Sequence, residues 1–149
     1  DVMARYGVAL QGGNAEKGRG IFFGHAQAQC SKCHALKQVD KQVGPSLEDI
    51  AKRHSREYLL QSIVDPQAKI VPGYGIVTVQ LTDGRTVSGM LMSESDNGII
   101  VNLPDNSRES FATSEIKSQS KSVGTMPDPK TILNLRQIRD LVAYLATMN

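Results

Sequence analysis

The chain has no tryptophan, and its 149 residues include only three phenylalanines and four tyrosines, few for a composition that is 40% hydrophobic. It has two cysteines, so a thiolate zinc site finds no third cysteine to complete it. No run of 18 apolar residues exists, which excludes a membrane-spanning helix. Asp1 to Leu10 lacks a charged segment followed by an apolar stretch, so no signal peptide is expected there and the chain reads as a mature product or an excised domain. Neither sign of charge is in excess: 17 basic residues face 15 acidic ones, formally +2, without the basic stripe of a nucleic-acid binder. No Ser/His/Asp set, carboxylate pair or phosphate loop stands out. The length suits one domain, or a small domain carrying an insertion.

Both cysteines fall within Cys30-Ser31-Lys32-Cys33-His34. Two thiols three residues apart share one helical turn, where each can add to a vinyl group on the same edge of a haem, and the adjacent imidazole can then reach the iron. The alternatives are a thioredoxin-like dithiol and half of a zinc site. The first wants a βαβ context and the second two further ligands, and the sequence offers neither. The motif therefore implies one covalent haem c. Such a group would supply much of the missing aromatic bulk, and its two propionates would bring the net charge close to zero.

Residues 1–12 have no convincing period and read as a lead-in or the end of a linker. Asn14 is suited to cap a helix to about Phe23, with Gly18 and Phe22 on one face. A glycine there costs roughly 1 kcal/mol against alanine, which points to another helix crossing closely. After the motif come a polar loop, Lys37–Val43, and Gly44-Pro45-Ser46. Ser55 predicts a helix over 56–64, stopped by Asp65-Pro66. From Tyr74 the period becomes two: Val77, Val79, Leu81; Val87, Gly89, Leu91; Ile99, Val101, Leu103, separated by Asp83-Gly84 and Asn97-Gly98. Asp105-Asn106 makes a third turn before a fourth strand expected at Glu109–Ala112. This is an antiparallel meander. Lys117–Gly124 is polar and serine-rich. The last helix runs from about Leu135 to Met148, opened by Asn134 and Gln137 as a capping box, with Leu135, Ile138, Leu141, Val142 and Leu145 as its apolar stripe.

In this reading His34 is the proximal iron ligand, and its other ring nitrogen needs an acceptor, which the Pro45 carbonyl can supply by turning back at Gly44. Met126 is the candidate sixth ligand. It lies in a non-helical stretch stiffened by Pro127, whereas Met90 and Met92 occupy a predicted strand where packing is their expected use, and Met3 and Met148 are terminal. His25 and His54 are the rivals: His25 is too near Cys30 to reach the other haem face, and His54 reads as a solvated residue before a helix. Lys32, Lys37, Lys41, Lys52 and Arg53 form a basic cluster, read as solvated surface rather than a docking patch.

Together the first helix with Gly18 and Phe22, the Cys30–His34 motif, Gly44-Pro45, Met126-Pro127 and the last helix with Leu141 and Tyr144 resemble class I cytochromes c. The resemblance implies a mainly α cytochrome c fold, three to five helices around the haem, over residues 13–149. Met126 lies 92 positions after His34; the β-patterned block at 74–117 accounts for 44 of them and leaves 48, a separation typical of small cytochromes. An antiparallel sheet inserted into the cytochrome domain is therefore expected. More closely, Ser62-Ile63-Val64-Asp65-Pro66-Gln67-Ala68-Lys69-Ile70-Val71-Pro72-Gly73-Tyr74, followed by Asp83-Gly84-Arg85 and Gly89, resembles the haem-binding domain of Planctomycetes and Verrucomicrobia, often the C-terminal part of large dehydrogenases. Gly124-Thr125 stands where that domain would have Ser-Leu.

The resemblance implies a periplasmic or otherwise exported electron carrier, not an enzyme, with redox proteins as partners, among them a fused or neighbouring dehydrogenase. A gas-binding or peroxide-reactive haem with a labile sixth ligand is the alternative, and an interaction module built on the β block is another. Whether that block packs on the haem edge, docks a partner or fills space stays open, as does the oligomeric state.

Overall fold

A computed structural model describes residues 1–39 and 43–149; the middle of the predicted Lys37–Val43 loop, with Lys41 of the basic cluster, lies outside the described residues. The chain divides into two compact units, one formed by Asp1–Lys69 with Met126–Asn149, the other by Ile70–Thr125.

The first unit is helical, with α1 (Val2–Tyr6), α2 (Ala15–Gly24), α3 (Cys30–Cys33), α4 (Ile50–Arg53), α5 (Arg56–Val64) and α6 (Leu135–Leu145). The start signals act as side-chain caps. Asn14 Oδ1 accepts from Lys17 N at 2.9 Å and Ser55 Oγ from Tyr58 N at 3.3 Å, while Asn134 and Gln137 exchange two 2.9 Å bonds in a capping box. α2 and α6 cross at Gly18, where a Cβ would lie 2.0 Å from the Asp140 carbonyl oxygen and 2.8 Å from Tyr144 Cβ. No side chain larger than hydrogen fits this approach. Beside the crossing the buried Asp140 carboxylate accepts from Asn14 N at 2.7 Å, so the residue that caps α2 is itself tied to α6. Phe22, Leu60, Val64, Ile138 and Val142 are fully buried in the core around this crossing.

Residues 2–10, expected as an irregular lead-in, form α1 and a 3-10 turn, with Ala9 wholly buried in the same core. Arg56 Nε donates to the Leu10 carbonyl at 2.7 Å and Arg139 Nε to that of Gln11 at 2.6 Å. The five-residue helix is too short to show a period, and it is tertiary contact from Val2, Met3 and Tyr6 that holds it.

The second unit is a six-stranded antiparallel sheet of β1 (Gly75–Leu81), β2 (Thr86–Ser95), β3 (Gly98–Asn102), β4 (Arg108–Ala112), β5 (Ile116–Gln119) and β6 (Val123–Gly124), in the order β4-β3-β2-β1-β5 with β6 also on β1. Strict alternation on β1 puts Val77, Val79 and Leu81 into a core with Ile99, Val101 and Phe111. Gly84 turns the first hairpin at φ +93, and a Cβ on Gly98 would strike the Phe111 carbonyl oxygen at 2.1 Å. Residues 116–124, largely polar and without an alternating apolar signal, supply β5 and β6 on the free edge of β1. There Ser120 N donates to the Thr78 carbonyl and Ser120 Oγ accepts from Thr78 N, both at 2.9 Å. β6 pairs Gly124 with Gly75, so the strands that open and close this unit are backbone neighbours.

This architecture corrects the mainly α expectation. Strand takes 23% of the residues and helix only 36%, and the sheet is a major component with its own core rather than a small insert. Helical signals are local and complete in the sequence, whereas two of the six strands carry no apolar pattern.

Candidate haem-binding site

α3 is a single turn that carries Cys30 at its start and Cys33 at its end, with His34 as the residue that leaves it. The chain enters that turn through Gln29 in the left-handed region at φ +48. Cys30 and Cys33 are half-buried and not joined to each other. Burial pushes the Cys30 thiol above its ordinary pKa, reinforced by the charge of Cys33 and opposed by a backbone hydrogen bond. That direction is opposite to the one a dithiol oxidoreductase needs, whose leading cysteine is held as a thiolate near neutrality. Among the described residues, no three His, Cys, Asp or Glu side chains gather to hold a metal.

His34 is fixed on one side only. Its Nδ1 lies 2.8 Å from the Pro45 carbonyl oxygen. A carbonyl can only accept, so the contact places a proton on Nδ1, and the neutral ring in this orientation presents its lone pair at Nε2, the tautomer of a metal-ligating histidine. Among the described residues Nε2 has no hydrogen-bond partner. A role that sequence reasoning missed falls to Gly44, which is buried, donates its N–H to the Cys33 carbonyl at 2.8 Å and sits against the imidazole. A Cβ there would lie 2.8 Å from His34 Cε1 and 3.0 Å from Nδ1. The Leu47 amide adds a 2.9 Å bond to the Ala35 carbonyl, so the two sides of the loop are stitched together on either side of His34.

Met126 opens the second segment of the helical unit, half-buried in an irregular stretch between β6 and the 3-10 turn Pro129–Thr131. No hydrogen bond among the described residues ties it to Cys30, Cys33, His34 or Pro45. Met90 and Met92, expected to pack in a core, are half-buried and outside the apolar cluster of the sheet; Met92 falls at the irregularity between Leu91 and Ser93. The rival histidines are both engaged locally. His25 Nδ1 accepts from Ala28 N at 3.2 Å and Gln27 N at 3.3 Å, and the His54 ring stacks on Tyr58 with centroids 3.7 Å apart. Burial, then the charges of Arg53 and Lys69, lower the His54 pKa, which keeps that ring neutral at neutral pH.

The basic cluster is not a bare field of charge. Lys52 pairs with Asp49 at 3.4 Å, and Arg53 donates to the carbonyls of Glu48 at 2.9 Å and Ser46 at 3.3 Å, bracing the loop that holds Pro45. Lys32 and Lys37 are exposed.

The donor set fits a haem: two unbridged thiols on one turn, and an imidazole whose outer nitrogen is free by its tautomer. Exposed apolar side chains at Leu36, Val39 and Val43 follow the motif, as suits a segment beside a flat apolar group.

No protein-family model matches the chain. Over 67 residues it is 36% identical to a cytochrome c-553-like protein of Synechocystis sp. (strain ATCC 27184 / PCC 6803 / Kazusa). The match takes in 45% of this chain, which spans little more than half, 58%, of that relative. This partial similarity supports kinship with the cytochromes c. Among the described residues no helix is long and apolar enough to cross a membrane.

Proposed function

We propose that the chain is an electron-transfer protein with one haem c bound through Cys30 and Cys33 and ligated by His34 and Met126. The observation that carries this reading is the His34–Pro45 contact, which fixes the one tautomer an iron ligand requires, directly beside the two thiols. The haem would supply a one-electron ferric/ferrous couple, and a thioether ligand raises its potential relative to a second imidazole. Cys30 and Cys33 would hold the group, Gly44 and the Pro45 carbonyl orient the imidazole of His34, and Met126 would supply the second ligand to the iron. An iron ligated by two side chains of the chain would leave no coordination site for substrate. The sheet unit then interrupts a haem domain formed by the two helical segments, as in the Planctomycetes-type domain the sequence resembles. A dehydrogenase, fused or neighbouring, suits as the electron donor, in a periplasmic or otherwise exported setting.

Purified holoprotein tests this. Haem colour is expected to stay with the polypeptide on a denaturing gel and through acid-acetone extraction, and stopped-flow mixing with small redox proteins is expected to give fast exchange with slow carbon monoxide binding. Extractable haem sinks the covalent assignment. Rapid formation of a ferrous carbon monoxide adduct replaces electron relay with gas binding or peroxide chemistry.

A further inference from the structure

We propose that Asp128 is a positioning residue that holds Met126 at the sixth coordination position and so sets how often that position opens; this rests on the reading of Met126 as the ligand. Four successive residues here have little backbone freedom. Met126 and Asp128 each precede a proline, which bars them from the helical region, and Pro127 and Pro129 have their own φ fixed. Asp128 is accordingly extended, at φ −82 and ψ 102. Its side chain then caps the 3-10 turn that follows. Oδ1 accepts from Lys130 N at 3.2 Å, Oδ2 pairs with the Lys130 ammonium, and the Asp128 carbonyl receives Thr131 Oγ1 at 2.7 Å and Thr131 N at 3.1 Å. Beyond this turn the segment is anchored, because Pro129 and Leu133 are buried and Leu133 N donates to the Pro129 carbonyl at 2.7 Å. Among the described residues, the Asp128 carboxylate and the Thr131 hydroxyl thus tie the irregular stretch carrying Met126 to the anchored turn that follows it.

A merely structural acid would lower stability without touching the iron. A positioning residue changes the fraction of time the sixth site stands open, and that fraction scales the apparent rate of an outside ligand. Asp128→Asn keeps an oxygen for the Lys130 amide and loses only the ion pair, whereas Asp128→Ala loses both. The ion pair is half-exposed and contributes little. Carbon monoxide association with the ferrous holoprotein is expected to rise about tenfold in Asp128→Ala, the size of a lost side-chain cap, and to stay within about twofold of the unmutated protein in Asp128→Asn. The midpoint potential should fall in Asp128→Ala alone. Met126→Ala serves as the reference for a fully open site. If Met126→Ala leaves a low-spin spectrum and slow carbon monoxide binding, the ligand reading itself is wrong and the role of Asp128 falls with it. If Met126→Ala opens the site but Asp128→Ala binds carbon monoxide no faster than the unmutated protein, the ligand stands and the positioning role is overturned. Equal acceleration in Asp128→Asn and Asp128→Ala also overturns it, by moving the effect to the ion pair. Should Asp128→Ala not load haem, Thr131→Val, which removes the 2.7 Å bond to the Asp128 carbonyl, is expected to accelerate binding in the same direction, and no acceleration there rejects the proposal.

Discussion

Gly44 shows how much one hydrogen atom can decide. Its φ is not in the left-handed region, so alanine could adopt the backbone; what it cannot do is share space with His34 Cε1 at 2.8 Å and the Cys33 carbonyl at 3.2 Å. Gly44→Ala should therefore tilt the imidazole or widen the loop, costing about 1–3 kcal/mol as overpacking does. Thermal unfolding of the holoprotein checks the stability, and a shifted midpoint potential would report the tilted ring; an unchanged melting temperature and potential would count against the steric account. At this scale the sequence was legible where chemistry is rare: two cysteines, one following histidine, and a proline eleven residues on. Gly44 as a steric stop and Asp128 as a turn-maker were not legible, because a glycine or an aspartate in a loop has many ordinary uses and only coordinates show which atoms it meets.

The helices identify themselves by their ends more than by their faces. Asn14, Ser55 and the Asn134–Gln137 pair each cap the helix they were expected to cap, since a side-chain oxygen three residues before an orphan amide is a local feature. β5 and β6 carry no such local signal: they pair with β1 through the backbone, and Ser120 between them bonds Thr78 through its amide and hydroxyl, without alternating apolar residues. The crossing of α2 and α6 separates two glycines of identical propensity. Gly18→Ala would gain roughly 1 kcal/mol of helix propensity, yet its methyl would meet rigid α6 backbone at 2.0 Å. The clash dominates, and a net loss at or above the ~3 kcal/mol end of overpacking costs is expected. Gly20 has nothing within 4 Å of such a methyl, so Gly20→Ala should stabilise by up to about 1 kcal/mol. Denaturant titrations of the two variants side by side read the difference; two losses of similar size would mean the helices do not cross as described.

At the scale of the molecule the described residues form two apolar cores, one around Phe22, Leu60 and Ile138 and one around Val79, Val101 and Phe111, which share no residue. Stability should accordingly be divisible. Phe111→Ala, a deletion from the sheet core costing about 3–5 kcal/mol, is expected to advance a transition seen by strand circular dichroism while the haem absorbance melts where it did before. A single transition displaced as a whole would show that the two units unfold as one. This separation is also why the mainly α expectation failed: the helical signals belong to one unit and say nothing about the size of the other. The pairing of Gly75 with Gly124 adds a topological consequence. Paired residues stand about 5 Å apart, and a chain reaches roughly 3.3–3.6 Å per residue. The chain therefore leaves for the sheet and returns at nearly the same point, and to everything outside it the detour is no longer than a two-residue turn. A locus of that kind is expected to act as a socket: a unit that folds by itself and brings its own two ends together should be exchangeable there, and a variant carrying such a replacement that still loads haem is the outcome that checks it.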